Sequence, residues 1–497
     1  MTLSRRDILK LSALVAASTV LASCNRLERP ISRTFAPVKV AAWPELSEAD
    51  YNALNRLTFG PRPEERQRVA EIGIAGWIEE QLAPDSISDN ACNFRLRNLS
   101  TLGMRASDLH DISDQIFENM DRQLVPRELR TATLLRQTYS RRQLHELMVE
   151  FWSDHFNITT EKNDCFYLKT VDDREVIRKH ALGSFRDLVW ASAHSPAMLT
   201  YLDNQANVKG APNENYAREL MELHTLGVDG GYTQTDVMEL ARCLTGWGVK
   251  EHFWRGDFKF FEKQHDTGVK HVLGLEIQNA GQAEAERVLD LLADHPSTAR
   301  FISVKLARRF LADLPPAEVV DRAAAAFTRS RGDIRSVLRV ILLDGLALAD
   351  PKYKRPVNFV VSSLRLLNAD MDGGNAVQDY LTKMGQSYFL WPTPDGYPDR
   401  ALPWQGNLMP RWQFAFALLR NEIGGTIVNL PKLIEATGAQ SLPGIVDAVA
   451  GLLLGARLPE SERDALIADL ESAGATEEES AQIITGGILS SPAFQWK

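Results

Sequence analysis

Apolar positions recur along most of this chain with the 3.6-residue period of an amphipathic helix. From Ser47 to Leu57, Tyr51, Leu54 and Leu57 follow a serine cap at helical spacing, and Gly60-Pro61 ends the run. The same pattern predicts helices over 128–156, 213–226, 234–247, 282–293, 298–311, 316–329, 334–343 and 411–420. Strand signals are sparse. Residues 257–261 and 270–274 flank a glycine-containing turn and predict one hairpin, while 359–361 is too short to decide. The pattern therefore predicts a mainly α, multi-helix globular protein with a small β-hairpin insertion.

The N-terminal 23 residues break the pattern. Arg5-Arg6 stand between a polar residue and an apolar pair, as in a twin-arginine export address, and the apolar run from Leu11 to Ser23 is broken by Ser12, Ser18 and Thr19. It is too short for a bilayer, which takes about 20 apolar residues. Leu21-Ala22-Ser23-Cys24 matches the pattern after which bacterial lipoproteins are cut, making Cys24 a lipid-modified N-terminus anchored in the membrane. The expected order is signal peptide 1–23, tether 24–45, main helical domain with the candidate site 46–350, and C-terminal helical region 351–497. The expected location is the periplasmic side of the cell envelope. Phe389 to Pro410 is a long loop with five prolines and two tryptophans, expected to be ordered by packing of its aromatics.

Composition narrows the function classes. With 497 residues, 44% hydrophobic and 24% charged, the chain is an ordinary globular one. Loss of Arg5, Arg6 and Lys10 against Asp7 takes its net charge from −9 to −11, which argues against a nucleic-acid partner. Cys92, Cys165 and Cys243 imply no disulfide framework and are expected to be buried free thiols. No zinc-finger spacing, phosphate loop or Gly-x-Ser-x-Gly elbow occurs.

All ten histidines lie between His110 and His295. On the helix through 143–157, His145 and His155 share the apolar face, whereas Glu146, Glu150 and Asp154 point the other way. On the helix through 213–227, His224 is again on the apolar side, and Glu214, Arg218, Glu219 and Glu222 form a charged arc with two i,i+4 pairs. His265-Asp266 lies near the expected β turn. Imidazole with carboxylate is a donor set for a divalent metal. One expectation is thus a metal-dependent envelope hydrolase, with His155, His224, His265 and Asp266 as ligands, Glu214, Glu219 or Glu222 as general base and Arg218 beside them. The alternative is a lipid-tethered scaffold whose tryptophans and 389–410 loop form a docking surface.

These segments together resemble the bacterial domain of unknown function 1800. The resemblance rests on Asn55-Arg56-Leu57-Thr58-Phe59-Gly60, Phe151-Trp152-Ser153-Asp154-His155-Phe156, Asn213 to Gly227, Gly231-Tyr232-Thr233-Gln234, Ala241 to Trp247, and His265-Asp266 with Gly268 and Lys270. Cys243 replaces a more usual alanine, and Tyr397 a frequent tryptophan. The resemblance implies a largely helical exported protein, often encoded beside a second twin-arginine family similar to alkaline phosphatases and sulfatases, the expected protein partner. It implies no particular reaction.

Overall fold

Helices carry most of the chain in the computed structural model, which describes residues 44–113, 123–251, 255–473 and 476–497. Arg5, Arg6 and Cys24 lie outside the described residues. The first described helix, Glu48–Arg56, starts where Ser47 Oγ accepts from the Asp50 amide at 3.1 Å, satisfying a donor that has no intrahelical partner.

The stretch predicted as one helix over 128–156 is two, Leu124–Tyr139 and Gln143–His155. Neither glycine nor proline marks the break. Asp89 makes it, accepting the Ser140 hydroxyl at 2.8 Å and the Arg141 amide at 2.9 Å, a partner some 50 positions away. The helix predicted over 213–226 is Asn215–Glu219, continued by a π-helical turn at Leu220–Thr225. Other π turns occur at Asp173–Arg178 and Val340–Asp344. Such local widening is frequent at functional sites.

The β structure departs from the predicted hairpin. Trp247–Val249 pairs with Phe258–Phe260, and Lys270–Val272 pairs with Leu275–Ile277. The two predicted strands thus belong to two separate hairpins, each having a partner nearer in sequence. Leu273 and Gly274, at φ 51° and 77°, form a two-residue turn of the kind that suits strand twist. Residues 359–361 lie inside helix Pro356–Leu366.

One continuous apolar cluster reaches from Leu54 to Phe494 and includes residues on both sides of Pro351. The first helices are held by the far end of the chain. Arg56 donates to the carbonyls of Leu311 at 3.0 Å, Asp350 at 2.7 Å and Lys497 at 2.9 Å. Tyr51 and Arg66 reach the carbonyls of Leu453, Gly451 and Leu452. Cys92, Cys165 and Cys243 are buried free thiols, and burial raises each above the ordinary thiol range. Among the described residues no single helix is long and apolar enough to cross a membrane; the pair Leu430–Thr437 and Leu442–Leu454 meets that test only together, bent by 99°.

Candidate functional site

His155 ends helix Gln143–His155 and is buried. Its Nε2 lies 3.0 Å from the His224 carbonyl oxygen, in a last helical turn where intrahelical donors run out. A carbonyl only accepts, so Nε2 carries the proton and Nδ1 is left as an acceptor. Lys305 Nζ donates to that Nδ1 at 2.8 Å. Burial, then the charge of Lys305, keeps His155 neutral by moving its pKa well below 6.5. Burial likewise lowers Lys305 to about 8, against the pull of Asp154. His224 is also fully buried, its ring 5.0 Å from Phe156 and 6.0 Å from His155, and neither ring nitrogen has a hydrogen-bond partner. Burial takes it down to about 3.

Lys305 and His155 line a cavity of about 220 Å³ whose other walls include Asp154, Arg308, Arg309, Arg355 and residues 395–400 of the long loop. Beneath it the charges alternate. Glu150 touches Arg309 and lies 2.7 Å from Arg355, which also holds Asp154 at 2.7 Å. Despite burial, Lys352, Arg309 and Arg355 keep Asp399 well below the usual carboxylate range. Burial raises Asp154, although Arg355 opposes it.

The acidic face of this helix is held by ion pairs. Glu146 and Glu150 point away from the apolar stripe, as the helical wheel has them, but both are buried, and Asp154 is 21% exposed at its side chain. Arg178 comes to Glu146 at 3.0 Å from the π turn at 173–178, and Arg309 and Arg355 come from two other helices. Period alone does not distinguish a solvated acidic face from an ion-paired one.

The 389–410 loop is ordered by side chains from beneath it and by one of its own. Asn157 donates to the carbonyls of Trp391 and Thr393 at 2.9 and 2.7 Å, Tyr201 to that of Pro392 at 2.8 Å, and Trp404 to that of Pro398 at 2.9 Å. Tyr397 lines the cavity and donates to the Ser387 carbonyl at 2.7 Å. Gly396, at φ 72°, lets the loop press on the Asp154 backbone, where a Cβ would lie 2.0 Å from the carbonyl oxygen. Gly396→Ala is expected to cost about 2 kcal/mol and to raise protease sensitivity within the loop. Limited proteolysis with a denaturant melt checks it; an unchanged midpoint would show that the loop does not rest on Asp154.

The other residues singled out from the sequence fall in two places. Glu214 pairs with Arg218 at 3.0 Å, both partly exposed, whereas Glu222 accepts from Tyr232 at 3.4 Å and is not paired with Arg218. Glu219 is raised by burial, then by Glu222, and further by Asp395, which lines the cleft. His265 belongs to a separate buried cluster, with Nδ1 2.9 Å from the Thr245 carbonyl and Nε2 3.0 Å from Glu284, which Lys270 also holds at 2.5 Å. Asp266 pairs with Arg242, which brings it down to about 2. The structure thus brings His155 and His224 together and leaves His265 and Asp266 apart, both nitrogens of His265 being occupied. Among the described residues no group of three or more His, Cys, Asp or Glu side chains could hold a metal ion.

Sequence reasoning missed Lys305, and a signal for it existed. Thr298, Ile302, Lys305 and Arg309 follow one another at steps of four, three and four, so one helix face carries two cations inward.

No curated protein and no solved structure matches the chain. The family model described as a protein of unknown function (DUF1800) matches residues 52–496, a span that takes in His155, His224, Lys305, Arg355 and the whole 389–410 loop, and the chain belongs to that family.

Proposed function

We propose that the chain is an envelope hydrolase, exported through its Arg5-Arg6 signal and anchored by Cys24, that transfers a proton through Lys305 and binds an anionic substrate in the cleft under residues 395–400. One observation carries this reading. Lys305, lowered to about 8, donates to a neutral His155 whose tautomer is fixed by a backbone carbonyl, at the wall of an open cavity. An amine with that value can take or give a proton near neutral pH. Arg308 lines the same cavity and has no carboxylate paired with it among the described residues, so its guanidinium is available to an anionic group. Glu219, raised and sharing the influence of Asp395 with Lys305, is the candidate acid.

The test is hydrolysis of 4-nitrophenyl phosphate, sulfate and acetate. At least one is expected to be turned over with a rate that rises through pH about 8, as Lys305 loses its proton. Lys305→Met is expected to remove about 100-fold of that rate while the melting temperature holds. Turnover of none of the three, or equal turnover by Lys305→Met, would overturn the reading.

A second reading rests on Leu402, Met409 and Trp412, which are 82%, 60% and 40% exposed at and just beyond the long loop. Large apolar side chains left in water there fit a face that docks the phosphatase-like companion. Lys305→Met separates the readings, because a scaffold would keep its whole function in that variant.

A further inference from the structure

A second cavity, of about 780 Å³, lies between the first helices and the C-terminal ones and shares no lining residue with the Lys305 cleft. Its size is that of a small-ligand pocket. The walls are aliphatic, with Ile78, Leu342, Leu346 and Leu453 among them, and Leu343 and Trp496 remain 43% and 37% exposed in its lining. Lys354 interrupts this surface. It is 2% exposed, its Nζ stands 3.4 Å from the centre of the Phe494 ring, and no carboxylate is paired with it among the described residues. The charged neighbours that act on it are cations, Arg411 and Lys497. Four cations line the cavity against two carboxylates, and one of these, Asp50, is engaged by the Ser47 hydroxyl at 2.7 Å.

Burial and the Arg411 guanidinium disfavour the charged form of this amine, the Phe494 ring offsets them only in part, and an incoming anion would relieve the cost. We infer that this cavity binds the acyl chain of a fatty-acid-type carboxylate, whose head group meets Lys354. An aliphatic chain has no polar atoms to satisfy, whereas a peptide brings an amide and a carbonyl per residue. The walls come mainly from helices and connecting turns, with no strand edge among them to which such a peptide could add. The acyl chain is the occupant this surface solvates.

The experiment is calorimetric titration of the purified chain, carrying Cys24→Ser so that no attached acyl group competes, with dodecanoate below its micelle concentration. Dodecanol serves as the neutral control. Dodecanoate is expected to bind saturably and about tenfold tighter than dodecanol. Lys354→Met should reduce dodecanoate to the level of the alcohol without lowering the melting temperature, since it removes a buried amine that no carboxylate holds. Leu343→Trp, at an exposed lining position and therefore tolerated, should weaken both. The inference fails if dodecanoate does not bind saturably, if acid and alcohol bind alike, or if Leu343→Trp leaves both affinities unchanged.

Discussion

Arg355→Met is expected to lose about 3–5 kcal/mol of folding free energy, the cost of removing one partner of a buried ion pair and leaving the other uncompensated. The Arg355 side chain is 3% exposed and serves two carboxylates, Glu150 and Asp154, on successive turns of one helix. Glu150 keeps Arg309 when Arg355 is lost, whereas Asp154 has no other ion pair among the described residues. Asp154 is already raised by burial, so the variant leaves a carboxylate whose charged form the interior disfavours. Asp154→Asn in the Arg355→Met background should therefore recover a large part of the loss. Denaturant midpoints of the two single variants and the double one give the coupling directly. Loss of less than about 1 kcal/mol in Arg355→Met would mean that water reaches this lattice and that its charges contribute little.

His224 is expected to make the fold acid-labile well above the carboxylate range. Its native pKa of about 3 lies below the ordinary value of 6.5, so between these two values the unfolded chain binds a proton that the native one refuses. The stability it allows is complete above pH about 6.5 and falls by about 1.4 kcal/mol per pH unit as acid is added, approaching 3 kcal/mol by pH about 4. His155, also held well below its ordinary value, acts in the same direction. His224→Leu removes the titrating group and an imidazole with two unpartnered nitrogens, so it should cost little at neutral pH and flatten the acid limb. Chemical melts at half-unit intervals from pH 7 to 4 would show it, and an acid limb of unchanged slope in the variant would remove His224 as its cause.

Much of this was legible in the residues, and the gaps have physical causes. Helices with one apolar stripe and a local cap, such as Glu48–Arg56 and Gln234–Cys243, follow from spacing alone. The break at Ser140 does not, because the acceptor that stabilises it is Asp89, outside any local window. The burial of His155 and His224 could be read from their faces, but their meeting could not, since the partner of His155 is a backbone carbonyl at position 224. The charged arc from Glu214 to Glu222 drew attention because it is dense in sequence. The site's own charges are scattered over positions 150, 154, 305, 309, 355 and 399, and only the fold gathers them.

The grip of the chain's two ends on each other also sets a timetable for biosynthesis. Arg56 is made early, but two of its three carbonyl acceptors are 294 and 441 residues further on. At a synthesis rate of about 5–20 residues per second, the last of them follows roughly 20–90 s later. Through that interval the guanidinium stays hydrated, and the first helices lack the surface they pack on. The first helices therefore gain their packing surface only once residues through 497 have been made, and a chain stopped before them presents those helices, open, to whatever protease or chaperone meets it first.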